Sequence, residues 1–150
     1  MIREYRATDL DRIFHLDEVC FAAEFRFDRA SMRAFAEAKN AIALIDESEA
    51  GELAGFLIVH LEGVLGRRLG YVMTLDVAPE HRREGVAGRL MEEAEQQAAV
   101  AGAGWMELHV FSGNEGAVRF YESRGYERVG VRRGFYGVGM DAFVYQKLLG

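Results

Sequence analysis

The hydrophobic and polar positions of the chain repeat with two periods, one typical of helices and one typical of strands. From 85 to about 101, apolar residues recur every four positions, starting at Val86 and Leu90, with glutamate and glutamine between them. This spacing predicts an amphipathic helix, and shorter runs rich in β-branched and aromatic residues predict strands. The predicted strands are 2–6, 41–46, 53–61, 71–77, 105–111, 126–132 and 140–148. The other predicted helices are 28–38, 114–124 and one that starts at Thr8 or Asp9 and contains Leu16.

The order of these elements, β-α-α-β-β-β-α-β-α-β-β, predicts the topology of an α/β fold. The polar stretch 47–52 separates two apolar runs and indicates an antiparallel hairpin. In contrast, the strand-helix-strand unit from 71 to 111 requires a parallel or crossover connection. No repeat or proline-rich linker interrupts the chain, so we expect a single domain over residues 1–150.

Charge and composition narrow the possible partners. The 150 residues carry a net charge of -6, which argues against a general nucleic-acid binder because phosphate binding needs a basic surface. No apolar run approaches the roughly 18 residues of a membrane span, and the first residues lack the layout of a secretory signal. The only cysteine, Cys20, has no partner for a disulfide within the chain. We therefore expect a soluble, cytoplasmic protein that binds neither nucleic acid nor membrane.

The segment 82–88, called the cradle below, has the layout of an anion-binding site. It follows a predicted strand and opens a predicted helix, whose first N–H groups have no partners and lie at the positive end of the helix dipole. Small residues let the backbone approach a phosphate closely, and arginines add charge. These residues are Gly85, Ala87, Gly88, Arg82 and Arg83. Small residues also suit close packing of a helix on a sheet, and spacing alone does not separate the two interpretations. A Rossmann site is disfavoured because no G-x-G-x-x-G occurs.

Two motifs resemble those of the GNAT superfamily of N-acetyltransferases. The segment 75–87 reads L-D-V-A-P-x-x-R-x-x-G-x-A, similar to the acetyl-CoA motif of that family. The segment 114–126 reads N-x-x-A-x-x-x-Y-E-x-x-G-Y and resembles a later family motif at the right distance. The resemblance covers nearly the whole chain. It implies a GNAT fold with a mixed, mostly antiparallel sheet, splayed between its central strands, and helices on both faces.

The resemblance also implies where acetyl-CoA binds. The pantetheine arm would lie between the splayed strands and pair with the backbone near 75–77, and the cradle would hold the pyrophosphate. The implied cofactor-binding residues are Leu75, Val77, Arg82, Arg83, Gly85, Val86, Ala87, Gly88, Asn114, Ala117 and Tyr121. No metal is implied.

Tyr121 and Asn114 each have two interpretations. Tyr121 matches the family tyrosine that protonates the sulfur of CoA, but Ala117, Phe120 and Tyr121 also share a helical face that could belong to the core. With the motif in place, the acid role is favoured. Asn114 suits a helix N-cap, and the family also uses this residue to bind the cofactor. Both roles are expected.

Tyr71 and His109 are the candidates for deprotonating the acceptor amine. Y-V-M-T-L at 71–75 and L-H-V at 108–110 resemble the eukaryotic N-terminal acetyltransferases that act on Met-first chains, whose matching tyrosine and histidine are the catalytic pair. The bacterial ribosomal-protein alanine acetyltransferases are also similar, with a glutamate where His109 stands. His109 ranks first as base because an imidazole titrates near neutral pH. Glu107, Tyr71 and water remain alternatives.

The expected reaction moves an acetyl group from acetyl-CoA to an amine, with the N-terminal α-amine of a peptide as the favoured acceptor. Phe25, Phe27, Phe135 and Tyr136 would line the acceptor groove by analogy with the Met-first branch, although core packing would equally explain them. The alternatives are acetylation of a small amine, such as a polyamine, amino acid or aminoglycoside, and acyl-CoA binding without turnover. The sequence leaves open whether the protein is a monomer or a homodimer.

Overall fold

The computed structural model describes residues 1–150 and contains a sheet of seven strands. The strands are β1 (Ile2–Glu4), β2 (Ala41–Glu47), β3 (Leu53–Glu62), β4 (Arg68–Val77), β5 (Ala103–Phe111), β6 (Glu127–Gly137) and β7 (Met140–Leu148). The α-helices are α1 (Leu10–Cys20), α2 (Arg29–Ala36), α3 (Val86–Val100) and α4 (Glu115–Ser123), and 3-10 turns occupy Ala7–Asp9, Ala23–Phe25 and Pro79–His81. The order of strands and α-helices is the one that the sequence pattern predicts.

The strands lie in the order β1-β2-β3-β4-β5-β7-β6, and only the β4–β5 pair is parallel. The predicted fold class, a mixed and mostly antiparallel α/β sheet, is therefore confirmed. The strands that extend furthest beyond their predicted bounds are β4 and β6. β4 starts at Arg68 because this residue joins the parallel ladder opposite Ala103, and β6 continues through Arg132 and Arg133 to Gly137. The start of β4 at 68–70 is half-buried to buried and includes an arginine and a glycine, and the end of β6 at 133–137 includes two glycines and is mostly exposed. Neither segment therefore has the regular alternation of apolar and polar residues that reveals a strand.

The central strands separate part of the way along their length. β4 pairs with β5 only from Arg68 to Tyr71, opposite Ala103 to Glu107. Beyond that point β4 pairs only with β3, and the rest of β5 pairs only with β7. The sheet is therefore splayed between its central strands, as the resemblance implies, and a V-shaped cleft opens between the second halves of β4 and β5.

Helices cover both faces of the sheet. The apolar side of α3, including Leu90 and Ala94, lies in one core cluster, whereas α1 and α2 contribute Ile13 and Met32 to a second cluster on the opposite face. None of the helices has both the length and the apolarity needed to span a membrane. The cleft between β4 and β5 is thus flanked by α3 on one face and by α1 and α2 on the other.

Candidate active site

The cradle forms a sharp turn between β4 and α3. Arg83 and Gly85 both adopt left-handed backbone conformations, with φ of 65° and 78°, and Gly85 is the N-cap of α3. Its carbonyl accepts from Arg89 N at 3.0 Å, but the N–H groups of 85–88 donate to no acceptor in the protein. A run of free N–H groups at the start of a 15-residue helix is a site for an anionic ligand.

An arginine from another helix lies over the same turn. A Cβ at Gly88 would come within 3.0 Å of Nη1 of Arg124, so glycine leaves the space that this guanidinium occupies. Nε of Arg124 is buried without a hydrogen-bond partner, and the Glu92 carboxylate is 4.0 Å from Nη2. Arg82 and Arg83 are exposed nearby in sequence. Arg124 is therefore an additional candidate for holding a phosphate. In the sequence it is one of many arginines in the second half of the chain, and only the structure singles it out.

The second half of β4 presents an unpaired backbone edge inside the molecule. Leu75 and Val77 pair with β3 on one side and have no strand on the other, because β5 has diverged. Their side chains pack against the core cluster under α3. One carbonyl on this edge, that of Val77, accepts from the Cys20 thiol at 3.3 Å. The edge is suited to pairing with an extended ligand that carries amide groups.

Helix α4 brings Tyr121 to the cleft. Asn114 is the N-cap of this helix, and its side chain accepts from Ala117 N at 3.1 Å. Tyr121 is 8% exposed and packs against Tyr126 with ring centroids 5.7 Å apart. Burial raises the pKa of the Tyr121 phenol, and the nearby Asp76 on β4 adds to the effect. Tyr121 is thus a core aromatic residue, as one interpretation holds, and also keeps its proton beside the unpaired half of β4.

Tyr71 and His109 meet where β4 and β5 begin to separate. The Tyr71 hydroxyl is 2.7 Å from Nδ1 of His109. Burial raises the pKa of Tyr71 and lowers the pKa of His109, and for His109 the charge of Arg132 adds to the effect while Glu107 opposes it. Near neutral pH the phenol therefore holds its proton and the imidazole is neutral, so the hydroxyl donates to Nδ1.

Aromatic rings surround this pair on the face covered by α1 and α2. We use aromatic cluster for the rings of Phe25, Phe111, Phe135 and Tyr136. Phe25 lies 4.9 Å from Tyr136 and 5.3 Å from Phe111, measured between ring centroids. Phe135 stacks on the imidazole of His109 at 4.4 Å with an interplanar angle of 7°. The stacked ring removes water from one face of the imidazole, which fits the desolvation that lowers its pKa.

The structure does not bring every sequence-predicted residue to this cluster. Phe27 packs edge-on against Phe35 at 5.0 Å and lies against the core cluster under α1 and α2. Glu107, the alternative base, accepts from Gln146 Nε2 at 2.7 Å, which ties its carboxylate to β7. Phe111 was not among the predicted residues. The sequence could have indicated Phe111, because it follows His109 by two positions and therefore lies on the same face of the strand.

Comparison with known proteins identifies the family of the chain. The Acetyltransferase (GNAT) family matches residues 10–126, more than half of the chain. The catalytic subunit NAA10 of the N-terminal acetyltransferase A complex of Arabidopsis thaliana is 32% identical over 109 residues, which are 70% of this chain and 56% of that protein. The N-alpha-acetyltransferase RimI of Mycobacterium tuberculosis is 33% identical over 103 residues, 65% of this chain and 63% of that protein. The matched region thus spans less than two thirds of either relative.

Solved structures show the same fold at low sequence identity. The ribosomal-protein-S18-alanine N-acetyltransferase of Escherichia coli superposes with a TM-score of 0.86 at 21% identity, covering 100% of this chain and 94% of that one. Arabidopsis thaliana NAA60 in complex with acetyl-CoA superposes with a TM-score of 0.84 at 18% identity, covering 99% and 98%. Because the family match covers more than half of the chain and the splayed sheet agrees with it, the chain belongs to the Acetyltransferase (GNAT) family.

Proposed function

We propose that this protein transfers the acetyl group of acetyl-CoA to the N-terminal α-amine of a peptide whose first side chain packs against the aromatic cluster. The observation that carries the proposal is the Tyr71–His109 hydrogen bond of 2.7 Å, which lies beside these rings at the mouth of the cleft. A proton-accepting pair bordered by apolar rings suits an amine that is attached to an apolar side chain.

The relatives support an α-amine as the acceptor but do not exclude a small amine. The NAA10 and RimI proteins that the chain resembles are named as N-terminal and N-alpha-acetyltransferases. An aminoglycoside 6'-N-acetyltransferase complexed with coenzyme A also superposes, with a TM-score of 0.85 at 18% identity. The fold therefore accommodates both peptides and small amines, and the argument for a peptide depends on the acceptor side of the cleft.

The cofactor would bind through groups that are already in place. The free N–H groups of the cradle and the Arg124 guanidinium suit the pyrophosphate of acetyl-CoA. The unpaired edge of β4 at Leu75 and Val77 suits the amides of the pantetheine arm. This arrangement would place the thioester between Tyr121 on one side and Tyr71 with His109 on the other.

The proposed reaction requires two proton transfers. The neutral amine attacks the thioester carbonyl carbon, an N–C bond forms, and the C–S bond breaks as the tetrahedral intermediate collapses. The Tyr71 oxygen takes the amine proton while its own proton passes to Nδ1 of His109, and the Tyr121 phenol donates a proton to the departing thiolate. His109 then releases its proton to solvent and Tyr121 regains one. The products are an acetylated amine and free CoA.

An α-amine matches this modest base better than a lysine does. With a pKa near 7.8, a terminal amine is roughly a quarter neutral at pH 7.4, whereas a lysine side chain is about 0.1% neutral. His109, whose pKa is lowered by burial, needs only to accept the proton that leaves as the N–C bond forms. A lysine acceptor would require a stronger base to deprotonate it beforehand.

The acceptor class is tested by measuring CoA release with matched acceptors. One peptide sequence is made with Met, Phe, Ala or Glu in first place, together with a version that has a blocked N-terminus and a free lysine. A polyamine and an aminoglycoside complete the panel. We expect turnover with the free α-amines, fastest with Met or Phe first, and none with the blocked peptide. Turnover with the small amines alone would refute the peptide proposal, and acetyl-CoA binding without any turnover would indicate a binding module.

A further inference from the structure

Two buried carboxyl groups meet between α1 and β4, outside the groups that the reaction uses. Asp17 and Asp76 are each 1% exposed, and their carboxyl groups lie within hydrogen-bonding reach of one another. The β3–β4 register skips Met73, because Ile58 pairs with Thr74 and Val59 pairs with Val72. This bulge turns the following alternate residues of β4 toward α1, which is why Asp76 faces Asp17.

The hydrogen bonds of the two carboxyl groups leave one oxygen of each without a donor. Oδ2 of Asp17 accepts from Phe27 N at 3.1 Å, and Oδ1 of Asp76 accepts from the Thr74 hydroxyl at 2.5 Å. Oδ1 of Asp17 and Oδ2 of Asp76 have no protein donor. Two facing carboxylates in a dry interior would repel each other and leave both oxygens unsatisfied, at a high energetic cost. A single proton between these two oxygens satisfies both.

We propose that Asp17 and Asp76 share one proton, and that this acid–carboxylate hydrogen bond positions the 21–28 loop, which carries Phe25, against β4. The link to the loop is the bond from Phe27 N to Asp17. The Cys20 thiol makes a second link from the end of α1 to the carbonyl of Val77. Proton sharing stands independently of the proposed function, whereas the effect on acceptor binding rests on it.

Charged and titratable groups around the pair do not replace the shared proton. Glu18 and Arg26 act on Asp17 from α1 and the loop, and Cys20 and Tyr121 lie near Asp76. Neither carboxyl group forms an ion pair of 4.0 Å or less with a cation. Burial raises the pKa of Asp17 and, more strongly, that of Asp76. A group with a raised folded-state pKa stabilises the fold at low pH and loses this contribution as pH rises through the folded pKa.

Amide substitutions distinguish a pair that shares one proton from a pair of two charged carboxylates. Asp76→Asn supplies an N–H donor to Asp17 and keeps an oxygen for Thr74, so it imitates the protonated acid, and Asp17→Asn does the same from the other side. Each single variant should unfold near the wild-type temperature below the folded pKa of the pair, and should lack the decline in unfolding temperature that the wild type shows as pH rises through that pKa. The double variant Asp17→Asn with Asp76→Asn sets two donors face to face and should lose more stability than the sum of the singles. Asp11→Asn, on an exposed aspartate of the same helix, is the control.

A spectroscopic measurement completes the test. The infrared spectrum of the wild-type protein at pH 7 should contain the carbonyl band of a protonated carboxylic acid, and both single amide variants should lack it while Asp11→Asn keeps it. In acetyl-transfer assays, Asp76→Ala should raise the acceptor KM about fivefold, and Asp76→Asn should restore it to within about twofold. Absence of the acid band in the wild type, or equal loss of stability in Asp76→Asn and Asp76→Ala, would overturn proton sharing. Unchanged KM in every variant would overturn the positioning role alone.

Discussion

The cradle takes its ligand-binding groups from one continuous segment, whereas the aromatic cluster takes its rings from three separate elements. The cradle uses backbone N–H groups whose direction is fixed by two left-handed residues and a helix start. The aromatic cluster uses side chains from a 3-10 turn, β5 and β6. If the cradle binds the pyrophosphate as proposed, it does so through backbone groups that do not depend on the side chains of distant elements, whereas the proposed acceptor site depends on side chains that the fold brings together. The cradle is therefore formed by a short stretch of chain, and the aromatic cluster is formed only when separate elements pack together.

Removing the hydroxyl of Tyr121, the proposed acid, should reduce turnover more than any other change. Tyr121→Phe keeps the packing against Tyr126 but removes the proton donor, so kcat should fall about 100-fold or more. The KM for acetyl-CoA should change little, because the ring remains. Steady-state CoA release at saturating acetyl-CoA measures both values, and wild-type kcat in this variant would rule out the acid role.

The base on the acceptor side should have the next largest effect. His109→Ala should lower kcat/KM about 30-fold at pH 7.5. In the wild type, protonation of both the acceptor amine and His109 should reduce the rate as pH falls, with the His109 limb below about 6.5 because burial lowers its pKa. In His109→Ala, only the fall in rate caused by protonation of the acceptor amine should remain. His15→Ala, on an exposed histidine of α1, is the control, and an unchanged profile in His109→Ala would transfer the role to Glu107 or water.

A substitution at Gly85 in the cradle should raise the KM for acetyl-CoA and leave the acceptor KM unchanged. Gly85→Ala places a Cβ on a residue with φ of 78° and 3.2 Å from Nη1 of Arg89, which should raise the KM for acetyl-CoA about fivefold. The acceptor KM should stay the same. Gly51→Ala is a matched control with φ of 83°, open space around the new Cβ and a position in the β2–β3 turn. Equal acetyl-CoA KM values in the two variants would argue against the cradle as the pyrophosphate site.

The smallest expected effect concerns Phe25 and Phe27, which were both predicted from the sequence to line the acceptor groove. Phe25→Ala should raise the KM for a Met-first peptide about threefold, because one ring of the aromatic cluster is lost. Phe27→Ala should leave this KM unchanged and lower the free energy of unfolding by about 2 kcal/mol, because its ring packs on Phe35. Peptide kinetics and denaturant unfolding measure the two quantities. A larger KM effect in Phe27→Ala than in Phe25→Ala would reverse the assignment.

The sequence predicted most of the fold because its signals are local. Apolar spacing identified α3, Asn114 was predicted as a helix N-cap and is one, and glycine and arginine spacing located the cradle. The start of β4 and the end of β6 were missed because arginine and glycine residues interrupt the apolar alternation there. The splay between β4 and β5 came from family resemblance, since pairing partners far apart in the chain leave no mark in either strand alone.

By itself, the sequence determined which segments become helices and strands, where the glycine-containing turn before α3 forms, and which family the chain joins. Each of these follows from residues within a few positions of one another. Tertiary structure alone decided that Phe25 joins the aromatic cluster while Phe27 packs against the core under α1 and α2, that Arg124 lies over Gly88, and that Asp17 meets Asp76. These contacts join residues from different elements, and their distances depend on how helices dock on the sheet and on a single bulge in β4, neither of which is encoded in a local pattern.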